Sequence, residues 1–144
     1  MLAQSSLTCI LALLVAAAPA GGESELSIRM SGFRSDDGQV LLALFRGADG
    51  FPGEPNKAWK TAVAKVSAGQ ARIDLPLPSG EYAFAIVHDE NGNNAMDTNW
   101  VGMPKEGYAA SNNAKGRLGP PKYRDAKFNI GADGTVQRVT ILYL

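Results

Sequence analysis

Cysteine and histidine are almost missing from this chain: Cys9 and His88 stand alone in 144 residues. No disulfide can form within it, and zinc, which wants several nitrogen or sulfur ligands, has too few. An excess of one charge is missing as well, because 14 Lys and Arg balance 14 Asp and Glu to a formal net charge of +0. The basic residues are scattered, without a stripe or an RNA- or DNA-binding motif, so no nucleic-acid partner is expected. Long apolar runs are lacking too. The run from Ile10 to Ala18 falls short of the ~20 residues that a helix needs to cross a bilayer. What remains, with a charged fraction of 19%, is the composition of one ordinary globular domain.

The run at residues 10–18 leads into Ala18-Pro19-Ala20, the small-x-small pattern of a secretory cleavage site, although no Lys or Arg precedes it. Residues 1–20 are therefore expected to be a removed signal peptide, and residues 21–144 a single periplasmic or secreted domain with no membrane span. Cys9 falls in the leader, so the mature chain must be held by its core, assisted at most by a metal.

Past residue 21 the patterning is that of strands. Leu26, Ile28 and Met30 alternate with Ser27 and Arg29, and after turn residues at 34–38 comes the apolar run Val40 to Phe45. This pair is expected as a hairpin. Trp59, Thr61 and Val63, then Ala71, Ile73 and Leu75, flank Ser67-Ala68-Gly69-Gln70 and predict a second hairpin, the first segment being compatible with a short helix as well. Gly80 opens a strand with Tyr82, Phe84 and Ile86 on one face and Ala83, Ala85 and Val87 on the other, apolar on both sides and so central. Residues 126–130 and 136–144 complete about seven strands. The prediction is all-β: an antiparallel β-sandwich with one long ordered loop over residues 89–123.

That loop carries the chemistry. Asp89, Asn91, Asn93 and Asp97 occupy positions 1, 3, 5 and 9 of a calcium-loop spacing, with the Ala95 carbonyl at position 7. Asn94 stands where glycine is usual and Trp100 where a bidentate glutamate is expected, so Glu106 or Glu90 would have to complete the shell. Weak calcium binding is expected, on the order of 10⁻⁴ to 10⁻³ M. The competing reading is a set of Asx-turns without an ion. His88 is in phase with Tyr82, Phe84 and Ile86 and is expected as a buried anchor of the loop. Trp100, Tyr108 and Tyr123 are a possible binding surface for an unidentified protein or glycan partner, or a hydrophobic cluster under the loop. No Gly-x-Ser-x-Gly elbow surrounds Ser111, so a triad with His88 and Asp125 is not expected.

The stretches Asp89-Glu90-Asn91-Gly92-Asn93-Asn94-Ala95-Met96-Asp97-Thr98-Asn99, Gly102 to Tyr108, Ser111-Asn112-Asn113 and Pro121 to Phe128 together resemble the DUF2141 family of exported bacterial proteins. The resemblance implies a sandwich of the transthyretin-like or immunoglobulin-like kind and implies no activity. The hydroxyisourate hydrolase branch of transthyretin-like proteins uses several histidines, which His88 alone cannot supply. The leading expectation is a non-enzymatic binding module with a calcium-stabilised loop. The alternatives are a hydrolase of envelope glycan working through Glu90, Asp97 or Glu106, and a structural or assembly protein without a ligand.

Overall fold

Where apolar residues alternate, the chain forms strands, and the alternation dictates which face each strand buries. The computed structural model describes residues 22–144; the expected signal peptide, with Cys9, lies outside the described residues. Strand β1 (Ser24–Ser31) buries Leu26, Ile28 and Met30 and exposes Glu25 and Arg29. It is followed by β2 (Gln39–Phe45), β3 (Lys60–Ala64), β4 (Ala71–Leu77), β5 (Gly80–Asp89), β6 (Gly107–Ala110), β7 (Phe128–Ile130) and β8 (Thr135–Thr140), with one short helix α1 (Tyr123–Ala126). Among the described residues, no helix is long and apolar enough to cross a membrane.

The strands make two sheets, ordered β4-β1-β8 and β3-β2-β5-β6, with β7 pairing the early part of β5. The all-β sandwich is as expected, with eight strands among the described residues. Between the layers lies one core that includes Ile28, Leu42, Leu77, Tyr82, Phe84 and Ile86. Each such side chain stabilises the fold by about 1.5–3 kcal/mol through burial.

Neither expected hairpin forms. β1 and β2 lie in different sheets, as do β3 and β4. Alternation fixes the buried face of a strand but not its neighbour, and both connections cross between layers. Residues 32–38 make the first crossing, and the Asp36 carboxylate accepts hydrogen bonds from Ala68 N–H and Gly69 N–H (2.8 and 2.9 Å) in the second. The antiparallel rule has one exception, since β1 and β8 run parallel, Ile28 opposite Gln137. The last strand is also shorter than residues 136–144: it ends at Thr140, Ile141 N–H still donates to the Ser31 carbonyl of β1 (2.9 Å), and Leu142 then exchanges two backbone bonds of 2.9 Å with Tyr108 of β6.

The long loop is likewise not irregular throughout, because β6 rises inside it and pairs β5 from Ala85 to His88. Between the stretches of β5 that pair β6 and β7, Ser111 fills the gap. Its buried hydroxyl accepts from Phe84 N–H (3.0 Å) and donates to the Ala126 carbonyl (2.6 Å), which leaves it no role as a nucleophile. The outer face of β5 is covered as well: Ala83, Ala110 and Ala126 form a second cluster with Phe51 and Tyr123 packed against it. Cover on both faces explains why β5 is apolar on both.

Candidate metal centre

β5 ends in two residues that are fully buried, His88 and Asp89. The His88 Nε2–H donates to the Asp37 carbonyl (2.9 Å), and Nδ1 is hydrogen-bonded to the Tyr143 hydroxyl (2.7 Å). The Tyr143 oxygen in turn accepts from Arg34 N–H (3.2 Å). His88 thus ties the 32–38 crossing and the C-terminal segment to the end of β5.

Asp89 organises the first turn. Its Oδ1 accepts from Asn93 N–H (3.1 Å), and its Oδ2 accepts from Asn94 N–H (2.8 Å) and the Gln39 amide (2.9 Å). Burial alone would raise this carboxyl, yet the donors from Gln39, Asn94, Asn93 and Gly92 outweigh it and hold the group below the usual carboxylate range. Gly92 (φ +70°) and Asn94 (φ +63°) supply the left-handed residues that the winding requires. Glu90 turns away from the loop. Its carboxylate takes two hydrogen bonds from the Arg34 guanidinium and one from the Ser35 hydroxyl (2.9 Å), and the Arg34 bonds lower its pKa. Glu90 is therefore neither available to complete an ion's shell nor suited to act as a general acid.

Beyond Glu90 the polar groups lean on one another. The Asp97 carboxylate receives the Asn91 amide at 2.5 Å and the Asn93 amide at 2.8 Å. Asn91 Oδ1 accepts from Asn93 N–H (3.2 Å), and Asn93 Oδ1 from Ala95 N–H (3.1 Å), so the Asx-turns of the competing reading are present. They do not exhaust the oxygens, because an amide oxygen has two lone pairs. Glu106, buried just before β6, accepts from Asp97 N–H (3.1 Å) through Oε2, while its Oε1 is buried with no partner among the described residues. Nor does any Lys or Arg among those residues pair with Asp89, Asp97 or Glu106, in contrast to Glu90.

The fold brings together Asn91, Asn93, Asp97 and, from further along the chain, Glu106. Among the described residues no three His, Cys, Asp or Glu side chains gather as a metal-holding group. Any ion here would rest on amide and carbonyl oxygens as much as on carboxylates, a donor set that suits a hard cation with loose geometry.

A family model described as "Uncharacterized protein conserved in bacteria (DUF2141)" matches residues 28–138, from β1 into β8 and across the whole loop. The chain belongs to the DUF2141 family. No curated protein and no solved structure matches it.

In this DUF2141 protein the three aromatic residues expected as a surface are dispersed. Tyr108 lies within β6 opposite Val87. Tyr123 packs edge-on against Phe51 (5.8 Å between ring centres) and donates its hydroxyl to Glu81 (3.3 Å), covering the outer face of β5. Only Trp100 is free, 95% exposed on a tight turn with Val101 and Met103. The turn is closed by Asn99, whose N–H donates to the Met103 carbonyl (2.8 Å) and whose Oδ1 accepts from Val101 N–H and Met103 N–H at 3.0 Å each. Gln39, Arg34 and Tyr143 complete the anchor and left no mark in the loop's spacing, since they are brought in from distant parts of the chain.

Proposed function

We propose that this protein is a non-enzymatic exported binding module whose loop, residues 89–106, is set by a calcium ion and presents Trp100 to a protein or glycan partner. The observation that supports it is the unpartnered Glu106 Oε1 beside Asp97: the Arg34 guanidinium lies near enough to reach the Lys105 carbonyl (3.3 Å) but is bonded to Glu90 and forms no ion pair with Glu106 or Asp97. A buried charged oxygen without a partner is costly, and a divalent cation satisfies it directly. Asp97 and Glu106 would supply the charge, and Asn91, Asn93 and the Ala95 carbonyl the neutral oxygens. Asp89 would brace the turn. The ion would bring Asn91 to Asp97 and the start of β6 to one centre, which fixes the turn that displays Trp100. The leader pattern at residues 1–20 supports a periplasmic or secreted setting, where modules of this affinity class work.

The test is thermal unfolding of the protein in chelator and in excess calcium. Calcium at 100 times its dissociation constant adds ~2.7 kcal/mol, a rise in Tm on the order of 8 °C for a domain of this size. Identical melting curves in chelator and in 10 mM calcium, at a concentration of roughly ten times the weakest expected constant, would remove the ion from the proposal.

A further inference from the structure

The three-stranded sheet presents an arrangement unrelated to the loop. Arg29 of β1 lies directly opposite Arg72 of β4 on one side and Arg138 of β8 on the other. All three are exposed. Residues paired across a sheet point to the same face, and neighbouring strands lie about 4.8 Å apart, so three guanidinium-bearing side chains leave one rung within about 10 Å. Like charges placed opposite each other destabilise a sheet. Arg72 is relieved by Asp74 two residues on (2.8 Å), whose charge also reaches Arg29, but no carboxylate among the described residues lies within ion-pair distance of Arg29 or Arg138.

The row borders a groove of about 720 Å³ that also takes in Lys65, Asn113 and Thr140, and no acidic residue lines it. Asn113 is held there by its own bonds to β8, accepting from Thr140 N–H (2.9 Å) and donating to the Arg138 carbonyl (3.2 Å). The groove thus has a row of cations and a fixed polar wall.

We propose that this groove binds a ligand carrying two or more phosphate groups in a row. Arginine offers a planar fork of donors that matches phosphate oxygens bidentately, and a phosphate group carries up to two charges. A single oxyanion cannot reach all three positions of a row about 10 Å long, whereas a linear oligophosphate or adjacent phospholipid headgroups can. Both sources share this chemistry. Nothing on the groove provides the aromatic stacking that a single-stranded nucleic acid would use.

The experiment is calorimetric titration of the full chain with inorganic tripolyphosphate, in chelator so that the loop's ion plays no part. It is paired with flotation on phosphatidylcholine vesicles with and without one-fifth phosphatidylglycerol. Arg29→Gln should weaken tripolyphosphate binding at least tenfold while raising Tm, because relief of the central like charge stabilises the sheet as it removes the site. Arg117→Gln, a charge outside the groove, should leave binding unchanged. Tripolyphosphate binding with no flotation assigns a soluble ligand, and flotation lost in Arg29→Gln assigns the headgroup. Equal weakening by Arg29→Gln and Arg117→Gln, equal binding of tripolyphosphate and single-stranded oligonucleotide, or no binding of either probe would overturn the proposal.

Discussion

His88, Asp89 and Glu90 are followed at once by the loop from Asn91 to Glu106, yet the two regions satisfy their polar groups in opposite ways. In the anchor every side chain is matched by the protein: His88 by Asp37 and Tyr143, Asp89 by Gln39 and two backbone amides, Glu90 by Arg34 and Ser35. In the loop Asp97 is met only by amides, and Glu106 keeps one oxygen unmatched. The anchor is complete within the chain, and the loop leaves one buried carboxylate oxygen unpaired. Substitutions in the anchor should therefore cost stability whatever the solution contains, and substitutions in the loop should change the response to calcium instead.

The largest effect is expected at Gly38, where φ is +67° and an added Cβ would fall 2.0 Å from the Asp89 carbonyl oxygen and 2.7 Å from Glu90 Cα. Both contacts are backbone and cannot swing aside. Gly38→Ala should cost about 3–4 kcal/mol, from forced repacking and the left-handed conformation together, measured as a lower urea midpoint. An unchanged midpoint would mean that the crossing and the loop head are not pressed together. Next comes His88→Ala, which strands the Asp37 carbonyl and the Tyr143 hydroxyl and opens a cavity; about 2–4 kcal/mol is expected, equal in chelator and in calcium. A cost that appeared only in calcium would place His88 with the loop rather than the anchor.

Asp89→Asn should follow, at about 1–3 kcal/mol, because an amide can accept only on one side where three donors converge. Its pH profile sharpens the comparison. The folded-state pKa of Asp89 is lowered, so its contribution is fully present above the unfolded value of about 3.9 and is lost as pH falls through the folded value. Stability of the parent protein should decline with acid over that window, and the Asp89→Asn variant should decline less steeply there. Parallel profiles would show that Asp89 is not charged in the fold.

The two regions also differ in how far the sequence disclosed them. His88 was readable as an anchor because it shares the phase of Tyr82, Phe84 and Ile86, and a strand's period of two is local information. Its partners were not, since Asp37 and Tyr143 sit 51 and 55 residues away. The same limit accounts for the misplaced hairpins: Leu26 and Ile28 announce a buried face, whereas the parallel pairing of β1 with β8 depends on a partner more than a hundred positions later. In the loop the donors at Asn91, Asn93 and Asp97 were legible as spacing, because a tight turn brings near neighbours together. Glu90 was not separable from Glu106 on that basis. Arg34, reached through the fold, takes the nearer carboxylate and leaves the farther one.

Glu106 then gives the smallest effect on stability and the clearest division between the regions. Glu106→Gln keeps the oxygen that accepts from Asp97 N–H and replaces the other with an amide donor, while removing one negative charge that no Lys or Arg pairs directly. In chelator its stability should not fall below the parent's, because the buried charge it removes forms no ion pair within the chain. On the proposed calcium reading it should lose most of the ~2.7 kcal/mol expected for the parent at saturating ion, because a neutral amide would replace one of the two charged ligands proposed for it. His88→Ala should show the reverse pattern, a full cost in chelator with the calcium increment intact wherever the protein remains folded. A Glu106→Gln variant destabilised to the same extent in both solutions would mean that Glu106 belongs to the anchor's closed network, and the distinction between a self-sufficient base and an ion-seeking loop would fall with it.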